Sequence, residues 1–216
     1  MGSGRRLDAM YRAMLDALGP SHWWPGDSPF EVCVGAILTQ NTAWTNVEKA
    51  IAALREADVL EPEAMYSLPQ ERLAECIRPA GYFNIKAARL RSFLKFLKDQ
   101  TNWDISALES SNTDSLREQL LGIKGIGPET ADSMLLYAFN RPMFVVDAYT
   151  ARIMTRHGMA PEESNYFELQ SLFMDSLPED VPMYNEFHAL IVRVGKDWCK
   201  KRASQCAGCP LEAFLD

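Results

Sequence analysis

The stretch from Leu121 to Thr150, LGIKGIGPETADSMLLYAFNRPMFVVDAYT, constrains this chain more than any other. It contains Gly125-Ile126-Gly127, followed by Pro128 and a helix-forming run from Glu129 to Phe139. Glycines permit a tight turn at positive φ and let another backbone come close. Proline suits the first turn of a helix, where its missing N–H costs nothing. The pattern predicts a short loop that delivers backbone N–H groups at a helix N-terminus, a ready site for a phosphate. Beyond it a lone carboxylate, Asp147, stands between Val145-Val146 and Ala148-Tyr149-Thr150. An acidic residue in apolar surroundings, just past a phosphate-binding hairpin, is a candidate catalytic group acting on nucleic acid. Asp147 is also placed to cap a helix over 148–157, and both roles can hold together.

The remaining chain reads as helices. Residues 5–18 set Leu7, Met10, Tyr11, Met14, Leu15 and Leu18 at helical spacing, and Gly19-Pro20 stops them. SHWWPGDSPF then forms a loop carrying Trp23 and Trp24 before Pro25, either as a core plug or as the wall of a binding site. Phe30 to Leu38 and Trp44 to Ala57 are helical, interrupted by Thr39-Gln40-Asn41-Thr42, where Asn41 or Thr42 is placed to cap the second helix. Further helical spacing covers 65–76, 85–97, 116–121, 148–157, 166–177 and 184–199. No segment alternates as a strand does, so the fold class is all-α.

The length of 216 residues and an apolar content of 47% suit one large domain or two small interwoven ones. No apolar run approaches the roughly 20 residues of a membrane span, and no signal peptide is visible. Met1-Gly-Ser-Gly looks like a vector-derived leader and is set aside. The formal charge of −7 argues against a nonspecific polyanion binder, although net charge says little about a local face. Cations cluster at Lys86, Arg89 and Arg91 and again at Lys196, Lys200, Lys201 and Arg202, as phosphate-facing groups or as solvated helix faces.

LxGIGxxTA followed by VVDxxT resembles the helix-hairpin-helix and Asp signature of the endonuclease III superfamily of DNA glycosylases. The resemblance implies a helical barrel over about 22–137, a second lobe from 5–21 with 138–216, and an active site between them. It implies hairpin contacts to DNA through Gly125, Ile126, Gly127 and Thr130, and catalysis by Asp147. LTQNTxW resembles the segment that fills the hole left by a flipped base, which makes Asn41, with Gln40 beside it, the plug. GYFNIKA resembles the second DNA-contacting loop, with Tyr82 as wedge and Lys86 meeting a phosphate. The implied partner is double-stranded damaged DNA, bound by a monomer with no membrane association.

Cys199, Cys206 and Cys209 are spaced C-x6-C-x2-C, which resembles the C-terminal loop that holds a [4Fe–4S] cluster in these enzymes. The family's fourth cysteine would fall at 215, which is Leu215, with Asp216 beside it. A cluster with an unusual fourth ligand, a three-iron cluster and a metal-free vestigial loop all remain open. Cys33 and Cys76 read as ordinary buried thiols. No disulfide framework is implied, in keeping with a cytoplasmic protein associated with a bacterial or archaeal nucleoid.

Two departures from the family bear on chemistry. Glu129 occupies the position where bifunctional relatives carry a Schiff-base lysine, which implies a monofunctional glycosylase. Adenine glycosylases of this superfamily carry an acid in the helix before LTQNT, where this chain has Ala36. A substrate that already bears positive charge, such as an N3- or N7-alkylated purine, then fits best. WWP, LTQNTxW and the missing lysine together resemble the 3-methyladenine DNA glycosylases of the endonuclease III type, with Trp23, Trp24, Pro25, Trp44 and Lys196 about the base. The rival expectations are an endonuclease III-like enzyme for oxidised pyrimidines and a non-catalytic helix-hairpin-helix module.

Overall fold

The computed structural model describes residues 2–215, and no strand occurs among them. The chain divides into two compact units, Pro25–Arg141 and Met1–Trp24 with Pro142–Asp216.

In the first unit α2 (Pro29–Leu38) is the central element. Ser28 caps it by accepting from the Glu31 N–H, Pro29 opens its first turn, and every residue from Phe30 to Leu38 is buried. A helix apolar all round must be enclosed. It packs against α3 (Trp44–Glu56), α6 (Phe83–Thr101) and α8 (Pro128–Ser133). The one acid on α2, Glu31, is matched by Arg55 of α3 at 2.8 Å. The span expected as one helix over 65–76 is two, α4 (Pro62–Ser67) and α5 (Gln70–Cys76). The break falls at Pro69, whose ring disfavours helical backbone at the residue before it, and Leu68 is extended at φ −65°, ψ 140°.

After α7 (Thr113–Leu121), capped by Asn112, the hairpin leads into α8. The run expected as a helix over 129–139 starts at Pro128 and widens into a π-helical turn over Met134–Ala138. The Phe139 N–H bonds Met134 O and the Arg141 N–H bonds Leu135 O, unwinding the helix as it ends. Arg141 fastens this exit by donating to the carbonyls of Glu109 and Ser111.

In the second unit α1 (Ser3–Leu18) buries Leu7, Met10 and Met14 against α10 (Tyr166–Met174) and α11 (Val181–Asp197). Ser3 and Gly4, set aside above as leader, belong to this helix, and a Cβ on Gly4 would stand 2.5 Å from the carbonyl oxygen of Ser176. Met1 and Asp216 lie outside the described residues. The unit's core is aromatic. Phe144 stacks on Phe173 with centroids 3.9 Å apart and meets Tyr184 and Phe187 edge-on at 5.4 and 5.8 Å. Among the described residues no helix is long and apolar enough to cross a membrane.

Candidate active site

Val145 and Val146 are buried, and the chain then turns into α9 (Ala148–Arg156) with Asp147 as its N-cap. Asp147 Oδ1 accepts from the Thr150 N–H at 2.7 Å and from the Thr150 hydroxyl at 3.0 Å. The other oxygen, Oδ2, lies 3.7 Å from His188 Nε2 of α11. The Asp147 side chain is 13% exposed. Burial on its own would push the carboxyl up. The hydrogen bonding and charge of His188, with the Thr150 backbone and hydroxyl, outweigh it and hold Asp147 below the usual carboxylate range. A carboxylate kept ionised in dry surroundings can face a developing positive charge with little screening.

Two features hold this geometry. Gly195 on α11 lies so close to α9 that a Cβ there would stand 2.3 Å from Cδ1 of Tyr149. Arg152 of α9 stacks over Tyr149 at 5.0 Å and donates to the carbonyls of Gly195 and Cys199. Beneath the Val145-Val146 segment, Gln170 donates to the Phe144 carbonyl at 2.7 Å. His188 was not singled out in the sequence, where it is a lone histidine on an apolar helical stripe with Tyr184, Phe187 and Ile191.

Trp23 and Trp24 are half-buried, with ring centroids 4.9 Å apart. The loop before them is tied to α11, because Arg193 donates to the Leu18 and Gly19 carbonyls and Glu186 accepts from the Ser21 N–H. Lys196 is exposed in the last turn of α11. Pro25, exposed, and Trp44, half-buried, belong to the unit Pro25–Arg141. The Trp44 indole donates to Glu48 at 2.9 Å.

The hairpin is built as its glycines suggest, with unequal roles. Gly125 adopts φ 95°, and a Cβ there would stand 2.4 Å from Arg89 Cγ. Gly127 is the N-cap of α8 at φ −99° and has open space around it. Both are exposed. Two expected DNA contacts have internal partners here. Ile126 is buried and its N–H bonds Ile123 O, and the buried Thr130 hydroxyl accepts from Gln40 at 2.9 Å. Gln40 itself faces inward: it also donates to the Gly125 carbonyl at 3.0 Å and accepts from Arg89. It therefore braces the hairpin and does not stand ready as a plug. Arg117 and the fully buried Asp132 add a two-pronged ion pair between α7 and α8 at 2.7 and 3.0 Å.

Lys86 departs from expectation as well. It is 1% exposed, and its Nζ donates to the carbonyls of Leu38 at 2.9 Å and Ala80 at 2.7 Å, so its amine faces internal acceptors. Burial, with Arg89 second, pushes its amine down to about 8. Arg89 and Arg91 likewise turn to internal acceptors, Arg91 to the Tyr66 and Leu68 carbonyls. The first cationic cluster is therefore scaffold. Thr42 also donates to the Ala80 carbonyl, at 2.6 Å, so two turns share one anchor. From one turn projects Asn41, exposed at φ 53°, and from the other Tyr82, 68% exposed at φ 45°. The cap of α3 is Ala43, and neither Asn41 nor Thr42 fills that position. Ile85, 53% exposed beside Tyr82, is a further projecting apolar group absent from the sequence expectation.

Cys199, Cys206 and Cys209 line one pocket, together with His157 and Leu215. Arg156 donates to Cys199 Sγ at 3.2 Å, and the Leu211 N–H points at Cys209 Sγ at 3.4 Å. Among the described residues no three His, Cys, Asp or Glu side chains are grouped to hold a single metal ion. An iron–sulfur cluster spreads its ligands over separate corners, and three thiols around one pocket with N–H donors to sulfur have the chemistry of such a ligand shell.

The family model of the HhH-GPD superfamily base excision DNA repair proteins matches residues 34–179. A "Putative DNA repair glycosylase" of Methanocaldococcus jannaschii is 46% identical over 95% of this chain and 93% of its own. The endonuclease III of Thermotoga maritima is 29% identical over 85% of this chain and 81% of its own. The crystal structure of H. pylori 3-methyladenine DNA glycosylase bound to 1,N6-ethenoadenine superposes with a TM-score of 0.77 at 30% identity, covering 91% of this chain and 98% of that one.

Proposed function

Because the chain belongs to the HhH-GPD superfamily and is a base excision repair DNA glycosylase, we propose that it hydrolyses the N-glycosidic bond of an alkylated purine and leaves the strand uncut. The observation that carries this reading is the Asp147 carboxylate, held ionised by Thr150 and His188. Base release makes the sugar an oxocarbenium-like cation, and an ionised carboxylate beside it stabilises that charge and orients the attacking water. Oδ1 is committed to Thr150, so Oδ2 is the oxygen that does this.

The alkylpurine assignment rests on what is missing. Ala36, buried on α2, offers no proton to a leaving base, and a base that is already cationic needs none. The rings of Trp23 and Trp24 favour a cationic base by roughly 0.5–2 kcal/mol. The H. pylori relative, a 3-methyladenine DNA glycosylase bound to 1,N6-ethenoadenine, supports a modified purine as substrate. The uncut strand follows from Glu129, exposed at the hairpin, whose carboxylate cannot form a Schiff base with the sugar. Lys124 precedes the hairpin glycines and is not assigned that part. In the other unit, Asn41 fills the gap left by the flipped base, Tyr82 wedges the duplex, and the exposed backbone at Gly125 and Gly127 meets phosphate.

A [4Fe–4S] cluster held by Cys199, Cys206 and Cys209 is part of the proposal; when bound it supplies a cross-link within the C-terminal loop and a one-electron couple.

The test is base release from methylated and, separately, from oxidised double-stranded DNA, with strand nicking scored before and after alkali. Free 3-methyladenine with nicks only after alkali supports the proposal. Release of oxidised pyrimidines alone favours the second reading, an endonuclease III-like specificity, which the Thermotoga maritima relative keeps in view. Substantial borohydride trapping of the wild-type enzyme on DNA sinks the monofunctional assignment.

A further inference from the structure

Gln40 stands beside the exposed Asn41, and its side-chain amide is committed to the hairpin. Its Nε2 donates to the Gly125 carbonyl at 3.0 Å and to the Thr130 hydroxyl at 2.9 Å, groups 85 and 90 positions further along the chain. Its Oε1 accepts from Arg89. A guanidinium only donates and a carbonyl only accepts, so the amide fits in one orientation alone. Arg89 closes the figure, because its stem lies where a Cβ on Gly125 would fall and its head group meets Gln40.

The turn that carries Asn41 is fastened on both sides of that residue. Before it, the Thr39 hydroxyl donates to the Gly35 carbonyl at 2.8 Å and Gln40 holds the hairpin. After it, Thr42 donates to the Ala80 carbonyl at 2.6 Å, and its N–H bonds Thr39 O at 3.0 Å. Asn41 alone of these four is exposed, at φ 53°, a left-handed backbone that asparagine tolerates better than most residues. Packing alone does not call for the glutamine, since α2 and α8 already meet and Arg117 with Asp132 ties α8 to α7.

We propose that Gln40 is a positioning residue for lesion recognition, fixing the turn that carries Asn41 in register with the hairpin. The proposal rests on the reading of Asn41 as the group that fills the flipped-base gap and of the hairpin as a phosphate contact. A turn ordered before DNA arrives loses no binding free energy to being ordered. A hairpin seated on phosphate then presents Asn41 at one fixed offset along the duplex. Losing Gln40 leaves Asn41 in the chain but no longer held to that offset.

The experiment is a double-mutant cycle on the full chain. The readout is affinity for a duplex holding a tetrahydrofuran abasic-site analogue, relative to the same duplex intact. That ratio separates gap filling from phosphate contact and does not depend on which base is excised. Asn41→Ala and Gln40→Met should each lower the ratio about tenfold, and the double variant should fall no more than about twofold below either single. A Gln40→Met ratio equal to that of the wild type, or full addition of the two losses, overturns the proposal and leaves Gln40 as a brace of the fold. A ratio unchanged in Asn41→Ala removes the gap-filling role itself, and this proposal with it. Gln40→Glu repeats the cycle if the methionine variant does not fold. A carboxylate keeps Arg89 and can accept from the Thr130 hydroxyl, but it cannot donate to the Gly125 carbonyl. It should show the same fall in ratio, and the same lack of further loss with Asn41→Ala, at a melting temperature nearer that of the wild type.

Discussion

Oδ2 of Asp147 and Nε2 of His188 stand 3.7 Å apart, joining the N-cap of α9 to the interior face of α11. The two carboxylate oxygens are thereby given separate work. Oδ1 closes the first turn of α9 through Thr150, and Oδ2 is left beside an imidazole. The helix cap and the candidate catalytic charge are one side chain.

That double role makes Asp147→Asn an informative substitution. Asparagine caps as well as aspartate, so α9 should still form, with the melting temperature lowered only by loss of the charge that His188 and Thr150 favour. The charge is gone, and base release should fall about 100- to 10,000-fold while DNA affinity stays within a few-fold. Single-turnover base release and a binding isotherm on the same lesion duplex check this. Unchanged turnover would return the chain to a non-catalytic DNA-binding role.

Removing His188 acts through Asp147. His188→Ala takes away the main group that offsets burial, so the Asp147 carboxyl should titrate at a higher pH than in the wild type. In the wild type the depressed carboxyl contributes stability that is present above about pH 4 and lost as pH falls through its folded value. The acid limb of base release should therefore move to higher pH in the variant, along with the onset of acid unfolding. Superimposable pH profiles would show that His188 does not set the Asp147 charge.

How much of this was legible in the residue order depends on the range of the interactions. Periodicity placed α1, α3 and α6 because their buried stripes recur within each helix. The hairpin, its following proline and Asp147 were legible because turn and cap chemistry is local. The split at Pro69 was a local signal overlooked. The surroundings of Gln40, Lys86 and His188 are not legible, for a different reason. Each draws its meaning from partners outside its own element: Gly125 and Thr130 for Gln40, Leu38 and Ala80 carbonyls for Lys86, Asp147 for His188. A lysine in a basic cluster and a lysine buried against two carbonyls look alike until the fold places them.

The two hairpin glycines should part company on substitution. Gly125→Ala forces a side chain into φ 95° and against Arg89, and should cost roughly 2–4 kcal/mol. Gly127→Ala meets open space at an ordinary φ and should cost less than about 1 kcal/mol. Denaturant unfolding of the two variants measures both. Equal losses would mean that Arg89 yields and that the backbone at Gly125 is adaptable.

Gly195→Ala probes the approach of α11 to α9. The added methyl would overlap the Tyr149 ring, so one helix must shift, at a cost of about 1–3 kcal/mol. Tyr149 lies two residues past Asp147, so turnover should drop even where the variant remains folded at the assay temperature. A variant that loses stability but keeps the wild-type rate would show that the Asp147–His188 pair tolerates movement of its supporting helices.

Lys86 leads to a prediction about alkaline pH. Its amine titrates at about 8 in the folded chain, against 10.5 when unfolded. Below 8 both states hold the proton and the burial penalty is present in full. Between 8 and 10.5 the folded state has released a proton that the unfolded state still binds, so this residue's contribution to stability rises with pH, by at most about 1.4 kcal/mol per unit. The neutral amine retains two N–H donors, enough for the Leu38 and Ala80 carbonyls that it serves. Lys86→Met fills similar space but takes the Lys86 donor from the Leu38 carbonyl and leaves Ala80 with Thr42 alone, at about 1–3 kcal/mol. The stability gap between wild type and Lys86→Met, measured by denaturant unfolding at pH 7, 8, 9 and 10, should widen steadily above 8. The subtraction removes the opposing alkaline titration of Cys33, Tyr11 and Tyr184, whose folded values burial pushes up. A gap constant across this range would mean that Lys86 keeps its proton and that Leu38 and Ala80 hold a charged amine. If Lys86 instead anchors the turns that carry Asn41 and Tyr82, the methionine variant should also bind lesion duplex more weakly at every pH.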